Sequence, residues 1–173
     1  MSQFTIQLKG ARRRGIQSSS RIFDSDLDNI TSVLVEACRC LEEDGGFEFI
    51  ARGCIGERWP VDVSTDLPVV IEQVPELIYR LRSSGSGELN FWEQGIERMV
   101  SIERRDSRML IECRRMQSSD CDCTELPADI VTMMFERLLD SFLGAIGDVC
   151  PTLASHEWVR EWVTARSLTP PSA

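Results

Sequence analysis

Nine apolar residues, Ile130, Val131, Met134, Phe135, Leu138, Leu139, Phe142, Leu143 and Ile146, recur at helical spacing and constrain the fold more than any other feature of the chain. Pro127 suits the first turn of such a helix and Pro151 ends it. A stripe this wide has to lie on a broad apolar surface, and the preceding residues carry the pattern of one. Leu89 and Phe91, then Ile96, Val100 and Ile102, then Met109, Ile111 and Cys113 alternate with polar residues. This period of two predicts three antiparallel strands, with turns near residues 93–95 and 104–107.

The rest of the chain supplies further elements. Phe4, Ile6 and Leu8 predict an opening strand, followed by a loop over residues 9–20. Leu27, Ile30, Val33, Leu34, Ala37 and Leu41 predict a helix from Asp26 to Glu43, with Asp24 or Ser25 as N-cap and Gly45-Gly46 as its stop. Phe47, Phe49 and Ala51 alternate as in a strand, and Trp59, Val61 and Val63 suggest another extended piece. Thr65 is placed to cap a helix lined by Leu67, Val70, Ile71, Val74, Leu77, Ile78 and Leu81, which Pro75 is expected to kink or split. Residues 117–125 read as a polar loop, Leu153 to Ala165 as a last helix and residues 167–173 as a tail. The expectation is one α+β domain over residues 1–166, a mainly antiparallel sheet with helices packed on one face.

Composition bounds the partners. A chain of 173 residues with 42% hydrophobic content should bury roughly 70% of its unfolded surface without help from metals or disulfides. Its net charge is −9, unevenly spread: residues 1–21 hold five basic side chains and no acid, whereas residues 22–97 hold 5 Arg against 16 acids. Such a body repels nucleic acid and anionic membrane, and a basic protein is its natural electrostatic match. No apolar run reaches the length of a membrane span. Seven cysteines, an odd set, and an N-terminus without a secretory apolar run predict reduced thiols in a cytoplasmic protein.

Catalytic patterns are weak. His156, the one histidine, falls where a helix should begin, a position at which a polar residue is at home. Cys121-Asp122-Cys123, with Cys113 upstream, offers one C-x-C and no second knuckle, short of a structural zinc site, so no metal or cofactor is expected. Asp62 with Asp66, and Glu93 with Glu97, could each form a carboxylate pair, but acid/base work also needs one carboxyl desolvated. No catalytic residue is assigned. The same residues suit contact better: Asp62 and Asp66 at a helix start, Glu93 and Glu97 about a turn, Trp59 as anchor, and Asp120, Asp122 and Glu125 as a second acidic rim. Trp59 as core and Asp66 as a plain first-turn residue remain equally open.

The segment Trp59-Pro60-Val61-Asp62 through Thr65-Asp66-Leu67-Pro68, the run Glu93-Gln94-Gly95-Ile96-Glu97-Arg98, and the closing His156-Glu157-Trp158-Val159-Arg160-Glu161-Trp162 resemble small acidic bacterial proteins of the immunity class, encoded beside polymorphic toxins. The likeness spans residues 25–165. It implies a non-enzymatic protein that neutralises a cognate toxin, a basic nuclease- or deaminase-type domain, by covering its active site. Two other readings stand beside it. An acidic secretion chaperone would dimerise and hold an extended client, and a small carboxylate- or thiol-dependent enzyme would need a deep pocket around those groups.

Overall fold

The computed structural model describes residues 4–16, 19, 21–92, 97–115 and 121–165. Strand β1 (Thr5–Gly10) turns Ile6 and Leu8 inward and pairs antiparallel with β2 (Phe47–Arg52). Between them runs helix α1 (Ile30–Asp44), which ends at Gly45 in the left-handed conformation, with the Gly45 N–H donating back to the Leu41 and Glu42 carbonyls. The helix starts four residues later than its apolar spacing predicts. Asp24 is not the cap: its carboxylate accepts from Asp26 N and its carbonyl from the Leu27 and Asp28 N–H groups, closing a turn of its own. That local bonding competes with helix, and Asn29 caps α1 instead, accepting from Thr31 N at 2.9 Å. Leu27, expected on the helix face, is left 84% exposed.

Helix α2 (Asp66–Ser83) accepts Pro68 in its first turn and passes through Pro75 without being split. It is followed by β3 (Ser86–Phe91), β4 (Arg98–Arg105), β5 (Arg108–Arg115) and β6 (Cys121–Pro127), which form one antiparallel sheet in the order β3-β4-β5-β6. The turn expected near residues 93–95 lies outside the described residues, while the second turn, at Asp106–Ser107, is where the spacing put it. Residues 121–127 correct the sequence reading, which made residues 117–125 a loop. They pair in register with β5, from Arg114 opposite Cys121 to Arg108 opposite Pro127. An edge strand tolerates this polar sequence because one side of it needs no partner strand and one face needs no core.

Helix α3 (Ala128–Val149) carries the wide apolar stripe of residues 130–146. Val131, Phe135, Leu138, Phe142 and Ile146 are buried, and the helix packs along β1, α2 and the end of the four-stranded sheet. The expected last helix is two pieces, α4 (Pro151–Ala154) and α5 (Glu157–Ala165). Trp162 on α5 is buried and its Nε1 donates to the Glu72 carbonyl of α2 at 3.1 Å, fastening the C-terminal helix to the body. Together these elements make an α+β domain with helices covering the inner side of a mainly antiparallel sheet. The tail at residues 167–173 lies outside the described residues. Among the described residues no helix is long and apolar enough to cross a membrane.

Buried carboxylates give this fold an acid limit. Burial would raise the Asp44 carboxyl, but N–H groups of Arg13, Arg14 and Gly46 outweigh it and hold its pKa below the ordinary value. Glu36 is lowered first by its hydrogen bonds with Arg39, helped by Ser19. A carboxyl whose folded pKa is depressed stabilises the fold fully above its unfolded pKa, about 4, and that contribution is lost as pH falls through the folded value. Urea midpoints are therefore expected to be flat in this respect between about pH 7 and 5 and to drop below about pH 4. Asp44→Asn should shallow that drop, and a midpoint rising from pH 5 to 3 would reverse the sign argued here.

Candidate functional site

Register sorts the four-stranded sheet into two unlike faces. Across the strands, Leu89, Val100 and Cys113 stand opposite one another, as do Gly87, Ile102 and Ile111, and all are buried. Leu77 and Leu81 of α2 press so closely on Gly87 that a Cβ there would lie 2.4 Å from Leu77 Cδ1. The alternate residues face outward in rows: Ser86, Glu103, Leu110 and Glu125; Glu88, Ser101, Glu112 and Cys123; Asn90, Met99, Arg114 and Cys121. Glu88, Glu103 and Glu125 are exposed and Glu112 is half-buried.

This outer face is a shallow acidic trough. A groove of about 550 Å³ runs over Ser86, Glu88, Ser101, Glu103 and Glu112, with Leu110 in its floor and Arg80 of α2 on its wall. Arg80 is turned to Glu76 on its own helix at 2.9 Å. Glu125 is paired with Arg108 at 3.5 Å, and Glu103 reaches Arg105 only at 4.0 Å. Among the described residues, Glu88 and Glu112 have no ion pair. The β3 edge beside them is closed by a side chain: Gln73 Nε2 donates to the Asn90 carbonyl at 2.9 Å, and Asn90 N donates to Gln73 Oε1 at 3.0 Å. These two hydrogen bonds give Asn90 the partners that a neighbouring strand would supply.

The residues singled out in the sequence do not meet on one surface. Trp59 is 1% exposed and belongs to the core, so of its two readings the core one matches the structure. Its ring meets Phe91 at 5.0 Å and Phe4 at 6.5 Å, and the Arg98 guanidinium lies 4.6 Å above it. Asp66 is also buried and accepts from Asp62 N at 2.8 Å, while Asp62 accepts from Thr65 N at 2.6 Å and Thr65 Oγ1 at 2.7 Å. The pair ties the strand-to-helix turn together. Burial raises the Asp62 carboxyl, and those Thr65 bonds, with Ser64, more than offset it. Glu97 is half-buried with φ 38°, and Asp122 stands opposite Cys113 on the inner side of β6. Only Glu125 belongs to the outer rows, and Glu93 and Asp120 lie outside the described residues.

The family models, the curated proteins and the solved structures hold no match to this chain. Its own geometry is the guide to what it does.

The histidine and the Cys121-Asp122-Cys123 run lie apart in the fold, at the start of α5 and on β6. His156 is stacked edge-on against Phe23 at 5.4 Å and beside Trp158 at 4.9 Å, and its Nδ1 accepts from Trp158 N at 3.3 Å. Cys121 and Cys123 are exposed on the outer face of β6 with Asp122 turned the other way. Among the described residues no group of three or more His, Cys, Asp or Glu is placed to hold a metal ion. Glu88, Glu103 and Glu112 went unnamed in the sequence reading. Their signal was present, since each sits at the polar position of a period-two run beside Leu89, Ile102 or Ile111.

Proposed function

We propose that this protein is an inhibitory binding protein of the immunity class, which seats a basic toxin domain on the outer face of β3–β6 and so blocks that domain's active site. The observation that carries the reading is the acidic trough itself. Three glutamates on adjacent strands, Glu88, Glu103 and Glu112, line it over an apolar floor at Leu110, and Glu88 and Glu112 have no ion pair among the described residues. Strands lie about 4.8 Å apart, which puts Glu88 and Glu112, two strands from one another, about 10 Å apart. Arginines or lysines that grip phosphates could pair with carboxylates at such spacings. A rigid sheet loses little entropy when they do so.

Charge would then act on the rate of encounter. With the toxin domain encoded beside this chain as ligand, association should slow as salt rises, since exposed charges are screened over ~10 Å at 0.1 M. Glu88→Arg with Glu112→Arg should cut the association rate about tenfold or more at low salt while leaving the urea midpoint near wild type. Asp66→Ala is the matched control. It breaks a buried turn, so it should cost roughly 0.5–2 kcal/mol of stability with association unchanged. A double reversal that binds and protects as well as wild type would remove this face from the proposal. Binding abolished by Asp66→Ala in a folded protein would move the interface to the Asp62 turn.

A further inference from the structure

Two thiols that the binding role does not use lie under the inner face of β5. Cys54 sits on the short loop after β2, and Cys113, 59 positions later, sits in β5. Their sulfur atoms are 2.7 Å apart, and Cys54 Sγ also donates to the Ile111 carbonyl at 3.4 Å. The two sulfurs are in direct contact, close enough to be bridged without a change in the backbone around β5. Both side chains are buried, at 4% and 5% exposure.

We propose that Cys54 and Cys113 are a disulfide-forming pair, oxidised by exchange with a low-molecular-weight disulfide of the glutathione class, and that the bond locks the Gly53–Glu57 loop onto β5. The loop explains how buried thiols are reached. It is closed on itself by Gly56 N donating to the Gly53 carbonyl and Gly53 N to the Glu57 carbonyl, both at 2.9 Å. It is tied to the sheet by Arg98 Nη1 donating to Glu57 Oε1 at 2.8 Å and by the Cys54 thiol. Release of those ties would free Cys54 to turn toward solvent, whereas Cys113 is held in β5 by pairing with β4 on one side and β6 on the other. The contact with Cys54, then burial, raises the Cys113 thiol well above its ordinary pKa, and because both sulfurs are buried a small disulfide reaches them only when the loop opens.

The reaction balances as two successive exchanges. Cys54, after losing its proton to solvent, attacks one sulfur of the small disulfide; a mixed disulfide forms and one thiolate leaves, taking up a proton as free thiol. As the loop folds back, Cys113 loses its proton to solvent and attacks the Cys54 sulfur; the protein disulfide forms and the second small thiolate leaves, taking up a proton as free thiol. Two protein thiols are oxidised by two electrons, and one small disulfide is reduced to two thiols.

Competing pairs exist. Cys38, Cys40 and Cys150 are all buried, and burial first raises each of these thiols; Cys150 and Cys40 also raise Cys38, and Cys40 raises Cys150, so the three lie near one another, while Cys121 and Cys123 are exposed. The test is to incubate the native full chain with oxidised glutathione, alkylate the remaining thiols in denaturant, and map peptides by mass without reduction. The expected protein disulfide joins the Cys54 and Cys113 peptides; it is lost in Cys54→Ser and in Cys113→Ser, and dithiothreitol reverses it. The oxidised chain should unfold at higher urea than the reduced one. Glu57→Gln, which removes the charge that Arg98 holds, should form the bond several-fold faster. Cys54 and Cys113 both recovered alkylated, or a map dominated by pairs among the other five cysteines, would overturn the assignment. A Glu57→Gln rate equal to wild type would overturn the loop-opening route.

Discussion

Replacing Trp59 by alanine is expected to remove about 3–5 kcal/mol of folding stability. The indole is the joint between the two sheets, since it touches Phe4 beside β1 on one side and Phe91 of β3 on the other. Truncation leaves a cavity where the two sheets meet, and neither sheet can collapse into it alone. It also strips Glu57 of a donor. Trp59 Nε1 donates to Glu57 Oε1 at 2.9 Å, and the same oxygen accepts from Arg98, whose guanidinium rests on the indole. Burial raises the Glu57 carboxyl, and these bonds bring it below its ordinary pKa, so the loss reaches beyond the ring. Trp59→Phe keeps most of the volume and loses the N–H, and should cost less, about 1–2 kcal/mol. Urea unfolding followed by far-ultraviolet circular dichroism gives both numbers. An alanine variant within about 1 kcal/mol of wild type would show that the sheets are held together elsewhere.

What the sequence made legible divides along physical lines. Elements whose apolar residues face one core were visible as periodicity: α2, α3, and strands β3 to β5 lie close to where their patterns put them. β6 was not, because its residues Cys121 to Glu125 face a sheet neighbour on one side and open space on the other, so hydrogen bonding to β5 sets its conformation with little apolar burial. The start of α1 was misplaced because Asp24 and Asp28 satisfy backbone groups in a turn, a local competition that apolar spacing does not register. Site residues fail differently. Trp59 and Asp66 carry the right chemistry for contact, yet burial decides their use, and burial depends on which segment crosses them. The acidic trough needs the register of four strands before Glu88 and Glu112 become neighbours on one face. The Cys54–Cys113 contact joins residues 59 positions apart, and no spacing rule announces it.

Gly10→Ala should be nearly as damaging as loss of Trp59, for a reason that involves no side chain of the wild-type protein. Gly10 ends β1 at φ 125°, a conformation residues with a Cβ rarely adopt, and a Cβ there would lie 2.0 Å from the Gly46 carbonyl oxygen and 2.9 Å from Phe47 Cα. Both obstacles are backbone, so no rotamer change relieves them. Gly46 is equally confined, its own added Cβ meeting the Ala11 carbonyl oxygen at 2.1 Å. Two chain segments thus cross where Ala11 N donates to the Gly46 carbonyl at 3.2 Å, and the contact seats Arg13 N and Arg14 N on the buried Asp44. Strain at the positive φ costs roughly 1–3 kcal/mol and the forced separation a similar ~1–3 kcal/mol, so a loss of about 2–6 kcal/mol is expected. Gly15→Ala is the control, because an added Cβ there meets nothing within 4 Å, and it should stay within about 0.5 kcal/mol of wild type. If the crossing is what presents Arg13 and Arg14 to Asp44, Asp44→Asn should cost less in the Gly10→Ala background than alone. Strict additivity of the two losses in a double-mutant cycle would show that the glycine crossing and the Asp44 bonds are independent supports of the same turn.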